Sequence, residues 1–164
     1  MLSLNQINKY LHVDAEEGIV TWKYHDQRPD LVGREAGSIN QGYRRISVCG
    51  YQVYRYQIIW FVHYGVWPTT TIDHQDTDML NDRISNLREA TKAQNVANSG
   101  MNVLNTSGYK GVSFCKSTGR WRASISIDRQ SINLGRYDTA EEAHQAWLDA
   151  AINARGEEFV RACA

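Results

Sequence analysis

The run Thr71-Ile72-Asp73-His74 sets a carboxylate beside an imidazole, and Ala93-Gln94-Asn95 adds a carboxamide further along the chain. Between them lies Asn81-Asp82-Arg83-Ile84-Ser85-Asn86-Leu87-Arg88. Together these residues form an inventory for cutting a phosphodiester with one metal ion. The side-chain oxygens of Asp73 and Asn95 suit a hard cation such as Mg²⁺ or Mn²⁺. An unperturbed imidazole titrates near about 6.5, so His74 can take a proton from water at neutral pH.

Local signals say how these groups are carried. Thr91 and Gln94 match a capping box, in which a Thr hydroxyl accepts from the third amide of a helix and a Gln side chain returns to the cap. Asn95 is therefore expected in the first turn of a helix. Asp73 and His74 precede a polar loop, Gln75 to Asp82, and Arg83 to Arg88 lead back toward that helix, which brings both loop ends within reach of one ion. Upstream, a short helix is expected over Ser3 to Leu11 and a strand over Gly18 to Tyr24. Further short strands follow at Gly37 to Ile39, Tyr43 to Cys49 and Tyr51 to Tyr56, with turns at Asn40-Gln41-Gly42 and near Cys49-Gly50. The apolar run Gln57 to Tyr64, ended by Gly65, reads as a buried helix, although periodicity alone does not separate so short a run from a strand.

The stretch from Asn98 to Ser107 is rich in Asn, Ser, Thr and Gly, which favour turns over packed elements. It divides the chain into a domain over 1–98, a linker over 99–106 and a second domain over 107–164. In the second, Tyr109 to Phe114, Trp121 to Ile127 and Ser131 to Tyr137 alternate like three antiparallel strands. Thr139 with Glu142 forms another capping box. Ala143, Ala146, Trp147, Ala150, Ala151 and Ala154 then recur at helical spacing, a small-residue face on which a helix approaches a sheet closely. The fold class expected is α+β throughout.

Composition narrows the class of protein. The chain has 164 residues, 42% hydrophobic and 22% charged, enough to bury a core in one domain or two small ones. No apolar run approaches the roughly 18 residues of a membrane span, and the N-terminal residues lack a basic region leading into an apolar one. A soluble, unsecreted, cytoplasmic protein without a membrane partner is expected. Cys49, Cys115 and Cys163 are odd in number and far apart, so neither a disulfide framework nor a zinc site is indicated. The formal net charge of zero is a cancellation of regions. Arg44, Arg45 and Arg55 fall in a stretch with no acid, and Lys110, Lys116, Arg120, Arg122, Arg129 and Arg136 stand against Asp128 alone, whereas the last residues are acidic. Basic faces are expected in both domains.

The segment from about Trp60 to Asn98 resembles the HNH family of phage and intron homing endonucleases, whose ββα-metal site has a pattern like Asp-His, then Asn-Arg-x-x-Asn-Leu-Arg, then Gln-Asn. The resemblance implies Asp73 and Asn95 as metal ligands, His74 as general base and Asn86 as the residue that fixes the loop by bonding backbone. Gly18-Ile19-Val20-Thr21-Trp22 and Ala36-Gly37-Ser38 also look like the leader of phage members. One departure is visible: where such proteins often have His-Arg before the apolar helix, this chain has Tyr56-Gln57. Arg83 and Arg88 either hold the scissile strand or pair with Asp78 or Asp82.

Tyr109-Lys110-Gly111-Val112, Gly119-Arg120-Trp121-Arg122-Ala123, Leu134-Gly135-Arg136-Tyr137 and Thr139-Ala140-Glu141-Glu142-Ala143 look like the Apetala/ethylene-response-factor type of DNA-binding domain. In that family the sheet enters the major groove, which admits a strand ribbon. The resemblance implies Lys110, Arg120, Trp121 and Arg122 near DNA, with Lys116, Arg129 and Arg136 as phosphate contacts. Trp121 is open to a core role as well. The plant factors' further base-reading residues are replaced by Ser113, Cys115, Ser124, Ser126 and Asn133.

The expectation is therefore a homing-type, metal-dependent endonuclease that nicks or cuts duplex DNA, with a C-terminal DNA-binding module. One catalytic set per chain implies a monomer cutting one strand, with a dimer or a second event needed for both. The alternative is a non-catalytic DNA-binding regulator on a degenerate HNH scaffold, supported by the Tyr56-Gln57 departure.

Overall fold

Ser3 caps the first helix: its hydroxyl accepts from the Gln6 amide, and the Gln6 side chain accepts from the Ser3 amide. The architecture is that of a computed structural model describing residues 1–92, 94–95, 104–157 and 160. Contacts divide the chain into two compact units, Met1–Ala90 and Thr91–Ala164.

In the first unit, α1 (Leu4–Tyr10) runs straight into β1 (Leu11–Asp14), which pairs antiparallel with β2 (Ile19–Trp22). The β1 strand was not foreseen. The three strands that follow, β3 (Ser38–Asn40), β4 (Tyr43–Val48) and β5 (Tyr51–Tyr54), make an antiparallel meander. The ambiguous apolar run is a helix, α2 (Arg55–Tyr64), beginning two residues earlier than expected and ended by Gly65 in the left-handed conformation. Ile58, Ile59 and Trp60 of this helix join Ile7, Leu11, Val20, Trp22, Ile46, Ile72, Ile84 and Leu87 in one core. The two strands of the site, β6 (Thr71–His74) and β7 (Leu87–Ala90), pair antiparallel, with Asp73 opposite Arg88 and His74 opposite Leu87. The loop between them rests on the β1–β2 turn. Ile84 donates its amide to the Ala15 carbonyl, and Gly18 lies so close that a Cβ there would stand 2.4 Å from the Arg83 nitrogen.

In the second unit, β8 (Val112–Cys115), β9 (Arg120–Ile127) and β10 (Gln130–Tyr137) form an antiparallel sheet in the order β10-β9-β8. Helix α3 (Ala140–Arg155) is capped by Thr139 and Glu142. Its Ala143, Trp147 and Ala151 are buried among Val112, Ala123 and Ile125 of the sheet and their neighbours. Ala154 is exposed, whereas His144 is buried, its Nδ1 3.2 Å from the Lys110 carbonyl oxygen. The expected linker, 99–106, lies mostly outside the described residues. Near its end the Asn105 carboxamide accepts from the Ser107 and Gly108 amides in an Asx turn. Among the described residues no helix is long and apolar enough to cross a membrane.

Candidate active site and nucleic-acid interface

His74 ends β6 with only 5% of its surface exposed, and its Nε2 lies 2.7 Å from Asp82 Oδ1. Asp82 is more deeply buried still, at 1%. A carboxylate costs much to bury unless it is paired and hydrogen-bonded, and Asp82 meets both conditions: Arg55 donates from Nε to its Oδ2 at 2.6 Å. Arg55 is itself enclosed, giving its remaining nitrogens to Glu35 Oε1 and the Leu80 carbonyl, each at 2.5 Å. Glu35 Oε1 also lies 2.9 Å from Arg44 Nε. An ionic chain thus runs Glu35, Arg55, Asp82, His74. Sequence reasoning passed over Glu35 and the link from Asp82 to His74, although Asp82 stands inside the motif.

Three tyrosines surround the imidazole. The Tyr43 and Tyr56 rings lie 5.9 and 5.6 Å from it, and Tyr54 stacks on Tyr56. Burial pushes the Tyr56 hydroxyl up to about 12, with the Tyr43, Tyr54 and Asp82 charges acting the same way. Burial likewise raises the Tyr43 hydroxyl above its usual value.

Asp73, 3% exposed, faces Arg88 across the hairpin, whose Nε and Nη2 lie 2.9 and 2.8 Å from its Oδ2. Residues directly opposite on paired strands are close enough for this contact. Asn86 staples the loop. Its carboxamide accepts from the Asp76 amide and donates to the Asn81 carbonyl and to Asp76 Oδ1. Burial alone would raise the Asp76 carboxyl. Hydrogen bonds from Asn81, Asn86 and the Asp78 amide, together with the His74 charge, outweigh that and hold it below the usual range. Asn95 lies in the turn capped by Thr91: the Gln94 amide donates to the Thr91 hydroxyl, the Gln94 side chain accepts from the Thr91 amide, and Asn95 bonds the Thr91 carbonyl. Asn95 belongs to the second compact unit, Asp73 and His74 to the first.

Several expected DNA contacts are corrected by this geometry. Arg55 is 5% exposed and spends its donors internally, so it builds the site instead of reaching outward. Arg44 turns inward to Glu35, whereas Arg45, the next residue on β4, projects from the other face of that sheet. The stretch looked free of acid only because Glu35 and Asp82 are distant in sequence. Arg88 pairs with Asp73 and the exposed Arg83 with Glu17. The Tyr56-Gln57 departure also reads differently. Gln57 caps α2 by accepting from the Tyr54 amide, and an arginine is built into the helix start one residue before Tyr56.

In the second unit, alternation along β9 sends Trp121, Ala123 and Ile125 toward α3 and Arg120, Arg122, Ser124 and Ser126 to the open face. Trp121 is half-buried and packs against Phe114 on the helix side. Lys110 holds its ammonium 5.9 Å over the Trp147 ring, also on the helix side. The open face keeps Arg122 directly opposite Arg136, with Arg120 near one end, where it pairs with the exposed Asp138. Lys116 and Arg129 are exposed in the two turns that join the strands. Ser113, Ser131 and Asn133 complete a face of small polar groups.

No group of three or more His, Cys, Asp or Glu side chains is arranged to hold a metal among the described residues. Mg²⁺ keeps several waters and binds through one or two carboxylates plus phosphate oxygens, and the Asp73 carboxylate is a donor of that kind.

Two family models match parts of this chain. The HNH endonuclease model matches residues 53–97, and the AP2 domain model matches residues 107–157. Protein 3.8 of Escherichia phage T7 is 36% identical over 94 residues, covering 52% of this chain and 76% of that protein. APETALA2-like protein 2 of Oryza sativa subsp. indica is 43% identical over 53 residues, 32% of this chain and 12% of the plant protein, and the japonica counterpart gives the same figures. No solved structure matches the chain.

Proposed function

Since the chain belongs to the HNH endonuclease family and carries an AP2 DNA-binding domain beside the nuclease domain, we propose that it is a metal-dependent endonuclease of homing type that hydrolyses phosphodiester bonds in duplex DNA. The observation that carries this reading is the buried His74 held by Asp82 beside the Asp73 carboxylate. A histidine enclosed by a carboxylate, an arginine behind it and an aromatic wall is built to move a proton at a fixed place.

Asp73 and Asn95 are the ligands in this reading, for Mg²⁺ or Mn²⁺. The ion, when bound, supplies positive charge against the transition-state phosphate and the leaving 3′ oxygen. His74 takes the proton of the attacking water, leaving 5′-phosphate and 3′-hydroxyl ends. Arg88 holds the Asp73 carboxylate in place and so preserves it as an oxygen donor. The open face of the second unit keeps the DNA bound through Arg122 and Arg136, because guanidinium groups grip phosphate in a fork geometry. The same face offers hydroxyls and a carboxamide as its other polar groups, so sequence preference comes from a different contact set than in the plant factors. One catalytic set per chain nicks one strand.

The test is conversion of supercoiled plasmid and phage genomic DNA with Mg²⁺, with Mn²⁺ and with chelator. Open circle or linear product that disappears with chelator supports the reading. Cutting that persists in chelator contradicts metal dependence.

A further inference from the structure

Along β4, Arg44 and Ile46 face inward, so alternation sends Tyr43 and Arg45 to the other side of the sheet. Tyr54 of β5 stands directly opposite Arg45, while Ser38 and Asn40 of β3 stand opposite Arg45 and Tyr43. These residues share one face, and none of them is acidic. Arg45 is half-buried, and among the described residues its guanidinium makes no ion pair and no hydrogen bond with another side chain. Arg44, Arg55 and Arg88 are by contrast committed to Glu35, Asp82 and Asp73. Aromatic rings carry this face to the site. The Tyr54 and Tyr56 rings are stacked, 5.5 Å between centroids and 8° between planes, and the Tyr43 ring lies 5.6 and 5.8 Å from them. Tyr43 and Tyr56 in turn stand 5.9 and 5.6 Å from the His74 ring. Tyr56 leans on the core of the first unit, while Tyr43 and Tyr54 are half-buried against one another outside it.

We propose that this face is a strand-holding subsite: Arg45 takes a backbone phosphate of the DNA strand that is cut, and the Tyr43 and Tyr54 rings pack against the nucleotide beside that phosphate, which delivers the scissile bond to His74. The proposal rests on the reading of the chain as an endonuclease acting at His74. Charge and continuity choose the occupant. A guanidinium that no carboxylate neutralises suits a polyanionic strand, which it grips in a fork geometry. Aromatic rings beside it accept any nucleotide, because every base has a flat π-face. The row of rings then ends at the imidazole, so a strand lying along it passes the site. The departure at Tyr56 has a use in this account, since a phenol in place of the histidine often found there extends the stack from Tyr54 to His74.

The experiment uses the full chain, held in chelator on duplex DNA of mixed sequence substituted with 5-iododeoxyuridine. Irradiation links this base to aromatic side chains that it lies against, and peptide mapping finds the linked residue. Adducts at Tyr43 or Tyr54 are expected. Tyr54→Phe keeps the ring and should keep the adducts, whereas Arg45→Ser should lower their yield. In plasmid nicking with Mg²⁺, Tyr54→Ala should lose about 5- to 150-fold in kcat/KM, the worth of one stacked base, and Tyr54→Phe should restore it. Adducts confined to the second unit, or to rings of the first unit away from this face, overturn the proposal. So do an undiminished yield in Arg45→Ser and a wild-type kcat/KM in Tyr54→Ala. The wild-type adduct map decides even if Tyr54→Ala fails to fold. A chain that gives the adducts and cuts no DNA counts against the nuclease reading alone, and one that cuts without them overturns the subsite alone.

Discussion

His74 is walled by aromatic rings that do more than fill space. Tyr56 sets its edge against the imidazole, and its buried hydroxyl resists ionisation up to about 12. The unfolded chain gives up that proton at the ordinary value of 10.0. Between these two values the unfolded state binds fewer protons than the folded one, so stability must fall as the pH rises through that window. Tyr56→Phe keeps the ring and removes the titration. Urea midpoints measured from pH 8 upward should therefore decline less steeply in Tyr56→Phe above pH 10, and parallel declines in the two proteins would contradict the buried hydroxyl. At this scale the sequence was legible where the site residues lie close together in the chain. Asp73, His74 and Asn86 stand within one short segment, and the Thr91–Gln94 box was readable from its spacing. Glu35 and Arg55 are 20 residues apart, and Arg55 and Asp82 are 27 apart. Nothing in a linear charge count joins them, which is why Arg44 and Arg55 read as an outward basic patch and are in fact inward.

Elements carry the site through a few close approaches. Gly111 lies against the Trp147 ring, where an added Cβ would stand 1.9 Å from Cδ1, and its φ is +71°. Trp147 is buried at the centre of α3 against the sheet. Gly111→Ala therefore combines a collision that neither backbone nor indole can easily relieve with a conformation that L residues avoid. A loss of about 2–6 kcal/mol is expected for the second unit, read as an early thermal transition and weakened retention of DNA, while the core around Ile58 and Ile59 keeps its own transition. An unchanged melt would place Trp147 elsewhere. Most elements were foreseen from turn residues and alternation: the second unit's three strands and capped helix lie within a few residues of their expected limits. The four-residue strand β1 was missed because it follows α1 without a turn: Leu11 read as the helix's end, and His12, Val13 and Asp14 were assigned to no element. The start of α2 was read late because Arg55 and Tyr56 continue the strand-like run of β5, whereas in the structure Gln57 caps the helix at Tyr54 and Arg55 pairs with Asp82.

Across the whole molecule the formal charge sums to zero, yet the face opposite α3 carries paired arginines. A neutral chain still grips a polyanion when its cations share one surface. Replacing Arg122 and Arg136 together by serine removes two exposed guanidiniums without touching the core. The slope of log affinity for duplex DNA against log salt should shrink by about 0.9 for each lost phosphate contact. A slope equal to the wild type's would show that this face does not meet the phosphates. The proposed division of labour is that one unit retains the DNA and the other holds the base.

That claim is tested most directly by cleavage of supercoiled plasmid with Mg²⁺, comparing wild type with His74→Ala in parallel with gel-shift retention of the same DNA. The wild type should yield open circle or linear DNA. His74→Ala should cut at least about 10²-fold more slowly while shifting the DNA at the same concentration. Undiminished cutting by a folded His74→Ala protein would contradict the assignment of His74 as the base and, with it, the account of the site.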